Sequence, residues 1–238
     1  MRKSIFMVVL WWCIACKSGP QKPIANSGDS IQGLTYAAHP HAADEILAKL
    51  KAGNANFVNK FSFVNVHSDS TYNYYDQIIR SGDDQHPIAC VLTCMDSRVP
   101  PEIIFDQGIG NLFVLRVAGN IQDDDILGSI EYAVEEKGIP LIVVMGHTNC
   151  GAIAAAFGNV DSSAKELYEL IAHVKRAVVP HDKPPYNATA KNNVKLTMED
   201  ILQHSGAVKR RVDSHELLLA GALYNVGTGR VNWKDPDW

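Results

Sequence analysis

Short apolar runs alternate along the chain with segments in which apolar residues recur every three or four positions. The runs at 88–93, 112–117 and 141–145 are apolar almost throughout, which predicts strands buried on both faces. Residues 216–226 predict a late strand of the same kind. Buried strands that alternate with helices predict an α/β domain in which a mainly parallel β-sheet is flanked by helices.

Three segments have the period of amphipathic helices. Residues 43–58 predict an N-terminal helical arm that stops near Gly53. A second helix begins at the three aspartates 123–125, which supply its N-cap and the acids of its first turn. This helix ends at Gly138. A third helix is marked by an apolar stripe that consists of Leu167, Leu170, Ile171, Val174, Ala177 and Val178.

The first residues have the layout of an export signal. Arg2 and Lys3 precede an apolar run from Ile5 to Ala15, which is shorter than the roughly 20 residues that span a bilayer. A positive start before a short apolar run is typical of a secretory signal, with a buried N-terminal strand or helix as the alternative. We therefore expect residues 1–15 to direct export.

Cys16 ends the sequence Cys13-Ile14-Ala15-Cys16, which resembles a bacterial lipoprotein cleavage box. This resemblance predicts lipidation of Cys16 and a periplasmic or membrane-anchored lipoprotein, with simple secretion as the alternative. Residues 16–41 contain Gly, Pro, Ser and Asn and few large apolar side chains. We expect them to tether a catalytic domain that spans residues 42–238.

Composition narrows the functional classes. Of the 238 residues, 46% are hydrophobic, which is enough for one good-sized core and favours a single domain. The formal net charge of −4 implies no basic surface, so nucleic acid is not an expected partner. Membrane contact is expected only through the N-terminal lipid.

Three cysteines lie in the predicted domain, and an odd number argues against a pure disulfide framework. Cys90 lies inside an apolar run, where a small buried core residue is expected. Cys94 follows the first predicted strand, and the His147-x-x-Cys150 pair follows the third. Carboxyl ends of neighbouring parallel strands meet at one edge of a sheet, so these side chains are expected to lie together.

Two thiolates and one imidazole suit zinc and leave one tetrahedral position for water, as catalytic zinc sites require. Spacing alone leaves two alternatives open, which are ordinary core residues and a disulfide between Cys94 and Cys150. Asp96 and Arg98 favour the metal site, because an exposed ion pair would contribute only about 0–1 kcal/mol. Beside a dication, Arg98 can hold the carboxylate while Asp96 accepts a proton from water.

The segment Cys94-Met95-Asp96-Ser97-Arg98-Val99, followed by His147-x-x-Cys150-Gly151, resembles the β-class carbonic anhydrases. The resemblance covers roughly residues 42–232 and includes further matching segments at 50–57, 106–108, 112–120, 221–224 and 228–230. Paired in one chain, the two motifs are highly specific, whereas either one alone is not.

This resemblance implies zinc-dependent, reversible hydration of carbon dioxide to bicarbonate and a proton by zinc-hydroxide attack. Cys94, His147 and Cys150 would hold Zn²⁺. Asp96 would orient the hydroxide, or serve as a fourth ligand as in some relatives, and Arg98 would keep Asp96 off the metal.

The resemblance also implies a homodimer or homotetramer with active sites at the interface. Gln107 would bind substrate across a dimer interface, with a loop-capping amide as the alternative role. Val117 and Gly119 would line an apolar pocket, and Gly151 would allow close backbone approach beside the metal. Alternative functions are a carbonyl sulfide or carbon disulfide hydrolase on the same scaffold, and a non-catalytic zinc or disulfide binding domain.

Overall fold

The computed structural model describes residues 42–59 and 74–234. The predicted export signal (1–15) and tether (16–41), including Cys16, lie outside the described residues. Within the described ranges, no helix has both the length and the apolar character needed to cross a bilayer.

A five-stranded sheet with the order β2-β1-β3-β4-β5 forms the centre of the fold. Its strands are β1 (Ala89–Thr93), β2 (Leu112–Arg116), β3 (Leu141–His147), β4 (Leu218–Tyr224) and β5 (Val231–Trp233). The first four are parallel, and β5 pairs antiparallel with β4. The prediction of a mainly parallel sheet is confirmed.

Helices flank the sheet in the described ranges. They are α1 (Ala42–Val58), α2 (Tyr74–Ser81), α3 (Pro101–Ile104), α4 (Asp124–Glu131), α5 (Gly151–Ala155), α6 (Lys165–Lys175), α7 (Asn187–His204) and α8 (Gly206–Asp213). A 3₁₀ turn follows β2 at Ala118–Asn120, and a π-helical turn extends α4 over Tyr132–Glu136. As predicted, Asp123 caps α4, since its carboxylate accepts a hydrogen bond from the Ile126 N–H.

Strands β1 and β3 are buried along their whole length because apolar layers cover both faces of the sheet. Val91 and Val143 pack on one face together with Leu50 of α1. Leu92 and Val144 face the opposite layer, which includes residues of α4 and α7. Side chains alternate between faces along a strand, so two covered faces require the continuous apolar runs seen in the sequence.

Two helix predictions need correction. Helix α1 does not stop at Gly53 but continues to Val58. A Cβ atom at Gly53 would overlap the carbonyl oxygen of Phe105, so this glycine allows close packing and is not a helix end. On α6, Leu167 was predicted to join the buried stripe, but it is 53% exposed.

Helix α7, at 18 residues, was not predicted. Its buried face carries polar side chains where an amphipathic helix carries apolar ones, so the periodicity gives little signal. The buried polar residues of this helix are Thr189, Asn193, Thr197 and Asp200.

One buried side chain ties α1 to two distant parts of the chain. Asn54 is 7% exposed, and its amide nitrogen donates to the carbonyl oxygens of Ile104 (3.3 Å) and Gly229 (2.8 Å). Its Oδ1 atom accepts from the Val231 N–H at 2.9 Å. Asn54 therefore fixes the helical arm against α3 and the edge strand β5.

We expect Asn54→Ala to lower the free energy of unfolding by about 2–4 kcal/mol, because it leaves buried backbone groups without partners. Urea unfolding followed by circular dichroism measures this change. Asn56→Ala is the matched control, because Asn56 is exposed and its amide nitrogen donates to the partly exposed Asp106 carboxylate and not to buried backbone. We expect the control to change stability by less than about 0.5 kcal/mol. Equal losses in the two variants would contradict the assignment.

Candidate metal centre

The structure brings together the three side chains that were predicted to bind metal. The ligand atoms of Cys94, His147 and Cys150 all lie within 4.8 Å of one another. The three residues are 4%, 1% and 3% exposed. Cys94 directly follows β1, His147 is the last residue of β3, and Cys150 is the N-cap of α5.

The environment of His147 fixes which ring nitrogen can bind a metal ion. Nδ1 lies 2.9 Å from the carbonyl oxygen of Thr148, which can only accept, so Nδ1 carries the proton. Nε2 therefore presents a lone pair, and it is buried without a hydrogen-bond partner among the described atoms. An unpartnered buried nitrogen is unfavourable, and a metal ion would satisfy it.

The two sulfur atoms are spaced for a shared ion. Cys94 Sγ and Cys150 Sγ are 4.0 Å apart, while two sulfurs at Zn–S distances of 2.3 Å in tetrahedral geometry lie about 3.8 Å apart. Both cysteines are free, which excludes the predicted alternative of a disulfide in this structure. This donor set fits zinc.

Hydrogen bonding prepares one of these sulfurs to lose its proton. The interaction with Cys150 is the main cause that lowers the pKa of Cys94, and the Gly119 N–H contributes at 3.4 Å. The same interaction, followed by burial, raises the pKa of Cys150. The two thiols therefore titrate as a pair and not independently.

Asp96 and Arg98 form a two-pronged ion pair beside these ligands. Arg98 Nε donates to Asp96 Oδ1 at 2.9 Å, and Arg98 Nη2 donates to Oδ2 at 2.7 Å. These bonds hold the pKa of Asp96 well below its usual range, so the carboxylate stays ionised. Asp96 Oδ2 also lies 3.9 Å from His147 Nε2, which places the carboxylate at the edge of the metal centre.

Two arginines hold the loop that carries Cys94 and Asp96. Arg98 also donates to the carbonyl oxygen of Asn149 at 3.1 Å, which links this loop to the one after β3. Arg116 donates to three successive carbonyl oxygens, those of Cys94, Met95 and Asp96. No role was predicted for Arg116. It ends β2 opposite Thr93, and this position beside the residue before Cys94 indicates that its side chain can reach the metal centre.

The predicted pocket residues after β2 have structural roles. The Val117 N–H bonds to the Thr93 carbonyl, and the Val117 carbonyl accepts from Met95, so pairing continues past the strand. Gly119 has a φ of 73°, and a Cβ there would lie 2.7 Å from a methyl of Val174. Gly151 is exposed in the first turn of α5. A Cβ there would meet no atom of the described residues within 4 Å, and its approach to the metal stays a prediction.

Within the single chain, Gln107 caps its own loop. Its amide nitrogen donates to the carbonyl oxygens of Phe105 at 2.8 Å and Asp106 at 3.1 Å. The substrate role of Gln107 involves a second protomer and stays a prediction. Cys90 is fully buried, as predicted for a core residue, and burial raises its pKa to about 12.

Comparisons with known proteins agree on one family. The family model described as carbonic anhydrase matches residues 89–231. Carbonic anhydrase 2 of Mycobacterium tuberculosis is 35% identical over 157 residues, which cover 63% of this chain and 76% of that protein. The carbonic anhydrase of Mycolicibacterium smegmatis is 35% identical over 153 residues, with coverages of 62% and 74%.

A solved structure agrees with these sequence matches. The β-carbonic anhydrase of Coccomyxa, in complex with acetazolamide, matches with a TM-score of 0.60 at 27% identity. The match covers 79% of this chain and 85% of that chain.

Proposed function

The chain belongs to the β-class carbonic anhydrases, which are zinc enzymes, and we propose that it hydrates carbon dioxide reversibly to bicarbonate and a proton. We assign Cys94, His147 and Cys150 as the zinc ligands. The observation that carries this assignment is the buried, unpartnered His147 Nε2 beside two sulfurs that are 4.0 Å apart. When bound, zinc supplies the Lewis acidity that makes water a nucleophile at neutral pH.

Asp96 is proposed to orient the attacking water. An ionised carboxylate can only accept hydrogen bonds, so Asp96 fixes the direction of the water's O–H and leaves an oxygen lone pair for carbon dioxide. Arg98 engages both carboxylate oxygens. In this arrangement Asp96 acts as an acceptor and not as a fourth metal ligand. Its low pKa keeps the acceptor charged over the whole neutral range.

The alternative activities share this scaffold and differ in substrate. Hydrolysis of carbonyl sulfide or carbon disulfide needs the same activated water, whereas a non-catalytic binding domain has no use for an oriented carboxylate. The Asp96–Arg98 pair therefore favours an enzyme over a binding domain. Carbon dioxide is preferred over the sulfur substrates because the relatives at 35% identity are carbonic anhydrases.

We expect the full chain to bind one zinc ion and Cys150→Ser to lose both the zinc and the hydration activity. The loss should exceed about 100-fold, because residues that only support a ligand already contribute about 10–100-fold. Stopped-flow hydration with a pH indicator and elemental analysis measure the two quantities.

Cys90→Ala is the matched control, because Cys90 is a buried core cysteine and should leave both quantities near wild type. Wild-type turnover in the Cys150→Ser variant would refute the ligand assignment. A higher kcat/KM for carbonyl sulfide than for carbon dioxide would select the alternative enzyme.

We further propose that the protein is a homodimer and that exposed apolar side chains on α2 and on the loop between α3 and β2 form part of the interface. Ile78 and Ile79 of α2 are 54% and 57% exposed, and Ile109 of that loop is 46% exposed. The Ile109 N–H bonds to Gln77 Oε1 at 2.9 Å, which joins the loop to α2 and brings these exposed side chains into one apolar patch of the surface. Such patches mark association surfaces, and Gln107 lies two residues from this one.

Ile79→Glu should convert the dimer to a monomer, since a carboxylate would be buried without a partner in the interface. Light scattering coupled to size exclusion gives the mass. Leu167→Glu on α6, with a similarly exposed side chain, is the control and should leave the dimer intact. A wild-type mass near that of one chain, or an unchanged mass in Ile79→Glu, rules out this interface.

We also propose that residues 1–15 direct export and that Cys16 is lipidated, on the basis of the sequence pattern alone. In a bacterial host, the full chain should incorporate labelled palmitate and fractionate with membranes. Cys16→Ala should lose the label and move to the soluble fraction, whereas Cys13→Ala should keep the label. Labelling that persists in Cys16→Ala would overturn the proposal.

A further inference from the structure

Helix α7 breaks the usual pattern of a packed helix, because polar side chains share its buried face with apolar ones. Thr189, Asn193, Thr197 and Asp200 are at most 5% exposed. Their spacing of four, four and three residues places them on one side of the helix. Burying polar groups is unfavourable unless each has a partner. The partners therefore indicate what this face is for.

Asn193 bonds to the backbone beside the metal centre. Its amide nitrogen donates to the carbonyl oxygen of Gly119 at 2.7 Å, across 74 residues of sequence. The Gly119 N–H in turn points to Cys94 Sγ at 3.4 Å. One glycine is therefore held on one side by α7 and bonded on the other to the sulfur that we assign as a zinc ligand.

Gly119 needs such support. Its φ of 73° lies in the left-handed region, and no Cβ fits against Val174. Glycine is therefore required here, and it is also the residue with the greatest backbone freedom. A contact from outside the turn must keep its N–H directed at the sulfur, and Asn193 makes that contact from a long, packed helix.

We propose that Asn193 is a positioning residue that keeps the Gly119 N–H on the Cys94 sulfur and so sets how strongly this sulfur binds the metal ion. The inference rests on the zinc site proposed above. An N–H···S hydrogen bond withdraws electron density from a thiolate, and partners of this kind tune metal sites. Asn193 acts through Gly119 and does not touch the metal or the substrate.

Asn193→Leu tests this role, because leucine keeps the branched shape of the asparagine side chain, although it is bulkier, and has no donor. In the cobalt-substituted protein, a more electron-rich Cys94 sulfur should shift the sulfur-to-cobalt charge-transfer band to lower energy. The affinity for zinc, measured by competition with a chelator, should nevertheless fall by about 10–100-fold, because the turn no longer holds the Cys94 side chain in its ligating orientation.

Thr189→Val is the matched control. Thr189 is buried on the same face of α7, but its hydroxyl accepts from the Val179 N–H and not from the site. We expect this variant to lose thermal stability while its cobalt spectrum and zinc affinity stay at wild-type values. A merely structural role for Asn193 would make the two variants indistinguishable.

A wild-type cobalt band and zinc affinity in Asn193→Leu would overturn the inference and leave the proposed function intact. A wild-type chain that binds no zinc or cobalt would instead refute the proposed function. If Asn193→Leu does not fold, Asn193→Ala removes the donor without adding bulk or charge and is measured in the same way. In the wild-type protein loaded with ¹¹³Cd, scalar coupling between cadmium and the Gly119 amide proton is expected, and its absence would count against the N–H···S bond.

Discussion

The parallel pairing of β1 with β3 is the constraint on which the metal centre depends. In this register Thr93 lies opposite Met145. Cys94 is the next residue on one strand, and His147 is two residues further on the other. A shift by one residue would turn His147 to the opposite face and bury the wrong side of each strand. The core packing that fixes the register therefore also brings the sulfur and the imidazole together.

Strand register alone does not hold the site, because the chain leaves regular structure at Cys94. Beyond β1 the backbone is fixed by charged donors, with Arg116 on three carbonyl oxygens and Arg98 on the Asp96 carboxylate and the Asn149 carbonyl. The Asp96 carboxylate and the acidic Cys94 thiol concentrate negative charge, which these guanidinium groups partly offset. The same contacts therefore position the loop and reduce the repulsion between its negatively charged groups.

Sequence patterns predicted the parts of the fold in which the local rule and the tertiary environment agree. Strands covered on both faces must be apolar throughout, so the sequence predicted β1 and β3 as buried strands. Gly53 was misread because glycine is common both at helix ends and at close contacts, and only the position of Phe105 distinguishes the two. The ligand residues followed from strand ends and motif spacing. The proposed role of Gln107 depends on a second protomer, and hydrophobic periodicity within one chain carries no information about that contact.

The failure to predict α7 has a cause that bears on function. Its buried face is partly polar, because several of its side chains bond to backbone groups outside the helix, including the Gly119 carbonyl. An apolar face of equal area would have given more burial energy and a clearer periodicity, but no donor for that glycine. Locally inconsistent sequence is expected where a fold supports a site. Two of these polar side chains, Asn193 and Thr197, bond to the carbonyl oxygens of Gly119 and Asn120, so a helix with no ligand of its own supports the turn that contacts the Cys94 sulfur.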